Sequence, residues 1–169
     1  MPLTSDLGLS VSGTLTKAGD LAEAAEPLAW RRALHLDSGT GAGKADRRFT
    51  DTRTLAASAS EDLDLAGVLV DAFGAAITFA RIKGIVISAA PTNTNNVVIG
   101  AAASNAWASL LNAAGTLTLR PGATLALMTG PADAVTYAVT AGTGDLLKVA
   151  NSGAGSTVSY DIVIIGASA

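Results

Sequence analysis

Gly84-Ile-Val-Ile-Ser88, Asn96-Val-Val-Ile99, Thr116-Leu-Thr-Leu-Arg120, Thr124-Leu-Ala-Leu-Met128 and Val158-Ser-Tyr-Asp-Ile-Val-Ile-Ile165 are the runs on which the reading of this chain turns. Ile77-Thr-Phe79, Val135-Thr-Tyr-Ala-Val139 and Leu146-Leu-Lys-Val149 belong to the same series. The runs recur at intervals of about 10 residues, with Gly, Asn, Pro and Ser clusters between them. Short apolar and β-branched runs with turn chemistry between them are the pattern of a β-sandwich or barrel. The expected class is therefore mainly β: an antiparallel, jelly-roll-like β-sandwich over residues 45–169. The last run sets Val158, Tyr160, Ile162 and Ile164 on one face and Val163 and Ile165 on the other. It is predicted to be a central strand or one covered by a partner, because a long apolar edge left open invites aggregation.

Before this block the pattern changes. Leu7-Gly-Leu-Ser-Val-Ser-Gly-Thr-Leu-Thr16 alternates apolar with small polar residues and predicts a strand. Leu21, Ala24, Ala25 and Leu28 then fall on a helical stripe, with Asp20 at the N-cap position and Pro27 shortening the helix to one or two turns. Trp30 to Leu36 reads as another short strand, and Asp37 to Ala45 as a flexible Gly-rich loop or linker. Residues 1–44 are thus expected to form an extended N-terminal arm or small subdomain. Phe49 to Leu55 and Ser60 to Leu65 read as further strands.

The core must be made of Ala, Val, Leu and Ile, since 49% of residues are hydrophobic but only 4% aromatic. The cysteine count is 0, which removes disulfides, thiolate metal sites and cysteine nucleophiles. Net charge is −3, too acidic for a nucleic-acid binder. Seven of the 11 Lys and Arg and ten of the 14 Asp and Glu lie at or before Asp64, and Lys83 to Arg120 holds no charge between its ends. Two readings of those charge-poor strands stand side by side: a neutral, Thr-rich sheet surface, or faces buried against copies of the chain, since interface cores are depleted in charge. The start of the sequence lacks the basic and apolar regions of a signal peptide, and Pro91 with its neighbouring asparagines interrupts the uncharged stretch, so a soluble protein is expected, with no membrane partner.

Few residues offer chemistry. Gly39-Thr-Gly-Ala-Gly-Lys44 is like a phosphate-binding loop, but Ser38 stands where the opening glycine belongs and Ala45 where the magnesium-binding hydroxyl belongs. A loop without a nucleotide is the expectation. Glu61, Asp62 and Asp64 are carboxylates with oxygen-ligand potential for calcium, but the spacing and glycine of an EF-hand are missing and alternation splits them between two faces. His35, the single histidine, has no nucleophile elbow to accompany it. Asp71, Asp133, Asp145 and Asp161 are isolated from one another. No cofactor, metal or catalytic residue is implied, and a non-enzymatic protein is expected. Asn93 to Asn96 reads as a turn cluster, and Trp107 as core rather than a sugar platform. The candidate partner-docking residues are Trp30, Arg31, Arg32, Arg47, Arg48, Phe49 and Arg53, where arginine forks and aromatic anchors of the usual interface types cluster.

Thr52-Arg-Thr-Leu-Ala-Ala-Ser-Ala-Ser-Glu-Asp-Leu-Asp-Leu65, Thr140-Ala-Gly-Thr-Gly-Asp-Leu-Leu-Lys-Val-Ala-Asn-Ser-Gly-Ala-Gly155 and the closing Tyr160-Asp-Ile-Val-Ile-Ile-Gly166 resemble small virion structural proteins of tailed bacteriophages, of the capsid decoration or cement type. The likeness covers residues 45–169 and rests on phrase rather than on a diagnostic motif. It implies a jelly-roll-like homotrimer on the capsid surface that braces the major capsid protein, with the arm reaching the shell. Two alternatives stay open: a head-fibre, tail or baseplate component, and a carbohydrate-binding or adhesin module.

Overall fold

A computed structural model describes residues 2–169, and strands dominate it. In chain order they are β1 (Ser5–Ala18), β2 (Glu23–Ser38), β3 (Lys44–Ala45), β4 (Arg47–Leu55), β5 (Ser60–Asp64), β6 (Arg81–Ala89) and β7 (Val97–Gly100). A single helical turn, α1 (Ala108–Leu111), precedes β8 (Thr116–Leu119), β9 (Thr124–Met128), β10 (Tyr137–Ala138), β11 (Leu146–Asn151) and β12 (Val158–Ala167). The protein is mainly β with several antiparallel sheets, in agreement with the class expected from the runs. Among the described residues no helix is long and apolar enough to cross a membrane.

One sheet runs β10-β6-β12-β4, with β9 also paired to β6; a second runs β5-β11-β7-β8. A contiguous core takes side chains from both, including Phe49, Ile85, Ile87 and Ile162 from the first and Leu63, Val97, Ile99 and Val149 from the second. Alternation is the reason: along β11 and the first half of β12 every second residue is buried. β12 is central, lying between β4 and β6, as its two-sided apolar content predicts. Val163 and Ile165, on its other face, join Leu34, Leu36 and Ala45 in a smaller apolar cluster with Leu3, Leu7 and Met128.

That second cluster is the base of a long hairpin. β1 and β2 pair without interruption from Ser5↔Leu36 to Ala18↔Glu23, and Gly19–Ala22 turns the chain. The helix expected between Ala18 and Trp30 is absent; Glu23 onward is strand. Period 3.6 was visible in the stripe Leu21, Ala24, Ala25, Leu28 only because the small alanines satisfy either template. β2 pairs its other edge only at Asp37 and Ser38, so Pro27 lies on an open edge, where a missing N–H is tolerated.

The base is closed by a bulge. Between Ile165 and Gly166 the pairing of β12 shifts against β6, from Gly84 to Ile82, leaving Lys83 as the extra residue. Gly84 lies under Leu7: a Cβ there would sit 2.3 Å from the Leu7 Cδ2. Gly166 is tighter still, since a Cβ would meet the Arg81 carbonyl oxygen at 2.2 Å.

Candidate functional site

The Gly-rich stretch at residues 39–44 takes the loop form of the two expected for it, closed by backbone hydrogen bonds. Asp37 N–H donates to Gly43 O at 3.0 Å, Gly39 N–H to Ala45 O at 3.1 Å and Lys44 N–H to Gly41 O at 3.2 Å. Three of its carbonyls converge on the Lys83 ammonium, which donates to Thr40 O at 3.3 Å and to Gly41 O and Lys44 O. A phosphate cradle presents N–H groups to an anion; this loop presents oxygens to a cation. Lys83 is 1% exposed, and burial, with the charge of Arg81 next in weight, pushes its pKa below the ordinary lysine value. The three carbonyls hold the charged form in place.

All of the carboxylates singled out in the sequence except Asp62 are bound to a neighbour. Glu61 accepts from Arg53 and from the Tyr160 hydroxyl at 2.8 Å, joining β5 to β4 and β12. Burial, and then this bond, hold the Tyr160 phenol in its neutral form far above the usual tyrosine range. Asp62 is exposed on the opposite face, and Asp64 accepts from Ala66 N–H at 2.9 Å. Asp71 accepts from Phe73 and Ala75 N–H, and these bonds lower its pKa. Asp133 closes a turn through Val135 and Thr136 N–H, Asp145 binds Gly142 N–H, and Asp161 accepts from Thr52 Oγ1 at 2.6 Å. Among the described residues no three metal-ligating side chains converge.

His35 lies at the hairpin base opposite Asp6, its Nδ1 2.7 Å from Asp6 Oδ1 and its Nε2 3.4 Å from Asp37 Oδ1. The hydrogen bond and charge of Asp6 raise its pKa above the ordinary 6.5. The asparagine cluster staples turns: Asn95 Nδ2 reaches Asn151 Oδ1 and Gly153 O at 3.0 Å, and Asn93 exchanges two bonds with the Ser159 backbone. Trp107 is 4% exposed, donates from Nε1 to Ala138 O at 2.8 Å and meets Tyr137 edge-on, so its ring face is not offered to a sugar.

The seven candidate docking residues do not form one patch. Phe49 is 4% exposed in the core, and Arg53 is turned to Asp51 and Glu61 over the Phe49 ring. Arg47 pairs with Asp46 at 3.2 Å, and Asp46 in turn binds the backbone and hydroxyl of Ser168, anchoring the end of β12. Arg48 is exposed on the outer face of the first sheet. Trp30, Arg31 and Arg32 stand out on the hairpin, with the Arg32 guanidinium 5.3 Å above the Trp30 ring.

The hairpin itself is the feature that sequence reasoning missed. Directly opposed residues of an antiparallel pair share a face. Leu34, buried at the base, and the half-buried Leu7 opposite it are therefore followed outward on the same face by Leu9, Val11 with Trp30, Leu28 and Leu15, at 39–72% exposure. The other face carries Ser10, Ser12, Thr14 and Thr16 against Arg31, Ala29, Pro27 and Ala25. A groove of about 270 Å³ continues the apolar face onto the first sheet, between Leu7 and Leu9 on one side and Val86, Ala126, Met128 and Val163 on the other. Beyond it, hydroxyls pair across the strands, Ser88 with Thr124 and Thr54 with Ser159, both at 2.8 Å, so that part of the charge-poor surface is self-satisfied.

Comparison with known proteins adds no relative: no family model matches the chain, and no curated protein or solved structure matches it.

Proposed function

We propose that this chain is a non-enzymatic structural subunit of a tailed-bacteriophage virion, a capsid decoration (cement) protein that binds the major capsid lattice as a homotrimer. In this reading the two sheets sharing one core are a jelly-roll-like sandwich, and the hairpin is the arm. No cofactor takes part. The observation that carries it is the long, two-sided exposed hairpin on a domain most of whose carboxylates are engaged in local bonds. Such a ribbon is marginal alone in water and gains stability on docking. Phage-type phrases over residues 45–169 supply the choice of partner.

Co-sedimentation with empty shells of the cognate major capsid protein tests it. Saturable binding at a fixed ratio to capsid subunits is expected. Gold labelling of virions at a single vertex or on the tail would replace it with the head-fibre or tail reading. Glycan binding without shell binding would replace it with the adhesin reading.

A further inference from the structure

We propose that the apolar face of the hairpin is the surface through which copies of this chain associate, each ribbon lying against a second copy of the same face and the groove at its base. This rests on the self-association of the preceding reading but not on its trimer, since one face packed against its own copy closes as a two-fold pair.

Three observations select a second copy as the occupant. The face is continuous with an apolar packing that already exists within the chain, where Leu7, Leu34 and Leu36 cover Ile165. A second ribbon extends that packing outward without a change of chemistry. The charges on the face are few and of both signs, Arg32 at one end and Glu26 with Lys17 at the other, with Val11, Trp30 and Leu28 between. An apolar middle with Trp at its centre and charges of both signs outside it matches itself, and is the composition of an interface core. The face also leaves room at its middle: Gly13 lies opposite Leu28, with Val11 and Leu15 two residues to either side, and the space where its Cβ would be is open. A leucine knob from a second copy fits a gap of that kind.

The dimensions say how far the contact reaches. Ten opposed pairs, Gly8 to Lys17 against Ala24 to Ala33, lie beyond the packed base. At about 3.4 Å per residue and about 10 Å of width, one ribbon face covers about 340 Å². Two such faces bury about 700 Å², against the ~1,200 Å² at which stable interfaces begin. The contact therefore takes in the groove as well, where Leu9 already faces Val86, Ala126 and Val163.

Light scattering on the full chain at tens of micromolar tests this, with Leu28→Glu, Gly13→Lys and Ser12→Lys beside it. All three positions are exposed and unpacked in the single chain, so circular dichroism should stay unchanged. The full chain and Ser12→Lys, whose charge enters the polar face, are expected to be multimeric. Leu28→Glu and Gly13→Lys are expected to fall to the 16.7 kDa monomer. A monomeric full chain, multimeric Leu28→Glu and Gly13→Lys, or equal dissociation by Ser12→Lys would each overturn the assignment. Shell binding separates the two readings. Gly13→Lys that keeps its multimeric mass but loses shells would overturn this inference and leave the capsid reading intact. A Gly13→Lys monomer, together with a full chain that ignores shells, would support the inference and sink the capsid reading.

Discussion

At Lys83 one buried ammonium ties the end of the hairpin to the sheet. Three backbone carbonyls of residues 40–44 are satisfied by it, and no other side chain is bonded to them. Lys83→Met keeps much of the volume and removes the three bonds to these carbonyls, of which Gly41 O retains one from Lys44 N–H; it is expected to lower the unfolding free energy by about 2 kcal/mol. An unchanged urea midpoint would mean that water replaces the ammonium. His35 offers a second test in the same region. Its raised pKa makes the Asp6 contact contribute fully below pH 6.5 and fade as pH rises through the folded-state value. An NMR titration should place the His35 midpoint above 6.5, and Asp6→Asn should return it towards that value; a midpoint at or below 6.5 in the unmodified chain would refute the pairing. The sequence held a signal for Lys83: a lone charge inside the apolar run Arg81 to Ala89 needs a partner when buried. What it did not show was which partner, since carbonyls 39 to 43 residues away carry no residue-type signature.

At the scale of elements, the β-runs after Ala76 were legible because their alternation or two-sided apolarity matches what a half-buried or central strand requires. β12 is the clearest case, central in the sheet and buried on both sides toward its end. The hairpin was not legible from Ala18 onward for the same physical reason turned round. A ribbon exposed on both faces has no burial to enforce period 2, so Ala24, Ala25 and Pro27 leave its pattern open. Nor did sequence reveal the bulge at Lys83, which depends on register. That bulge makes two glycines unequal. Gly166→Ala puts a methyl against a backbone oxygen that cannot step aside, whereas in Gly84→Ala the obstructing atom is the end of the flexible Leu7 side chain. Thermal unfolding should therefore show Gly166→Ala losing about 3 kcal/mol and Gly84→Ala about 1 kcal/mol, the two ends of the overpacking range. Equal losses would mean that the C-terminal end of β12 yields as easily as a side chain.

For the whole molecule, one quantity distinguishes a ribbon that is merely an appendage from one that belongs to an interface: how long its amides survive exchange. The inner amides of β6 and β12 are bonded on both sides and surrounded by the main core, so they open only with global unfolding. The hairpin beyond Gly8 and Ala33 is bonded only to itself and exposes both faces, and a two-stranded ribbon of this kind frays in water. In Gly13→Lys its amides from Val11 to Lys17 should exchange many times faster than those of β12, while Leu7 and Leu34 at the packed base stay protected. In the unmodified chain at high concentration the same amides should approach the protection of the core and lose it on dilution, because protection supplied by a partner follows mass action. Fast exchange in both proteins at every concentration would show that nothing covers the ribbon. Slow exchange in both would show that cross-strand pairs such as Val11 with Trp30 hold it without a partner, and would remove the physical reason for expecting one.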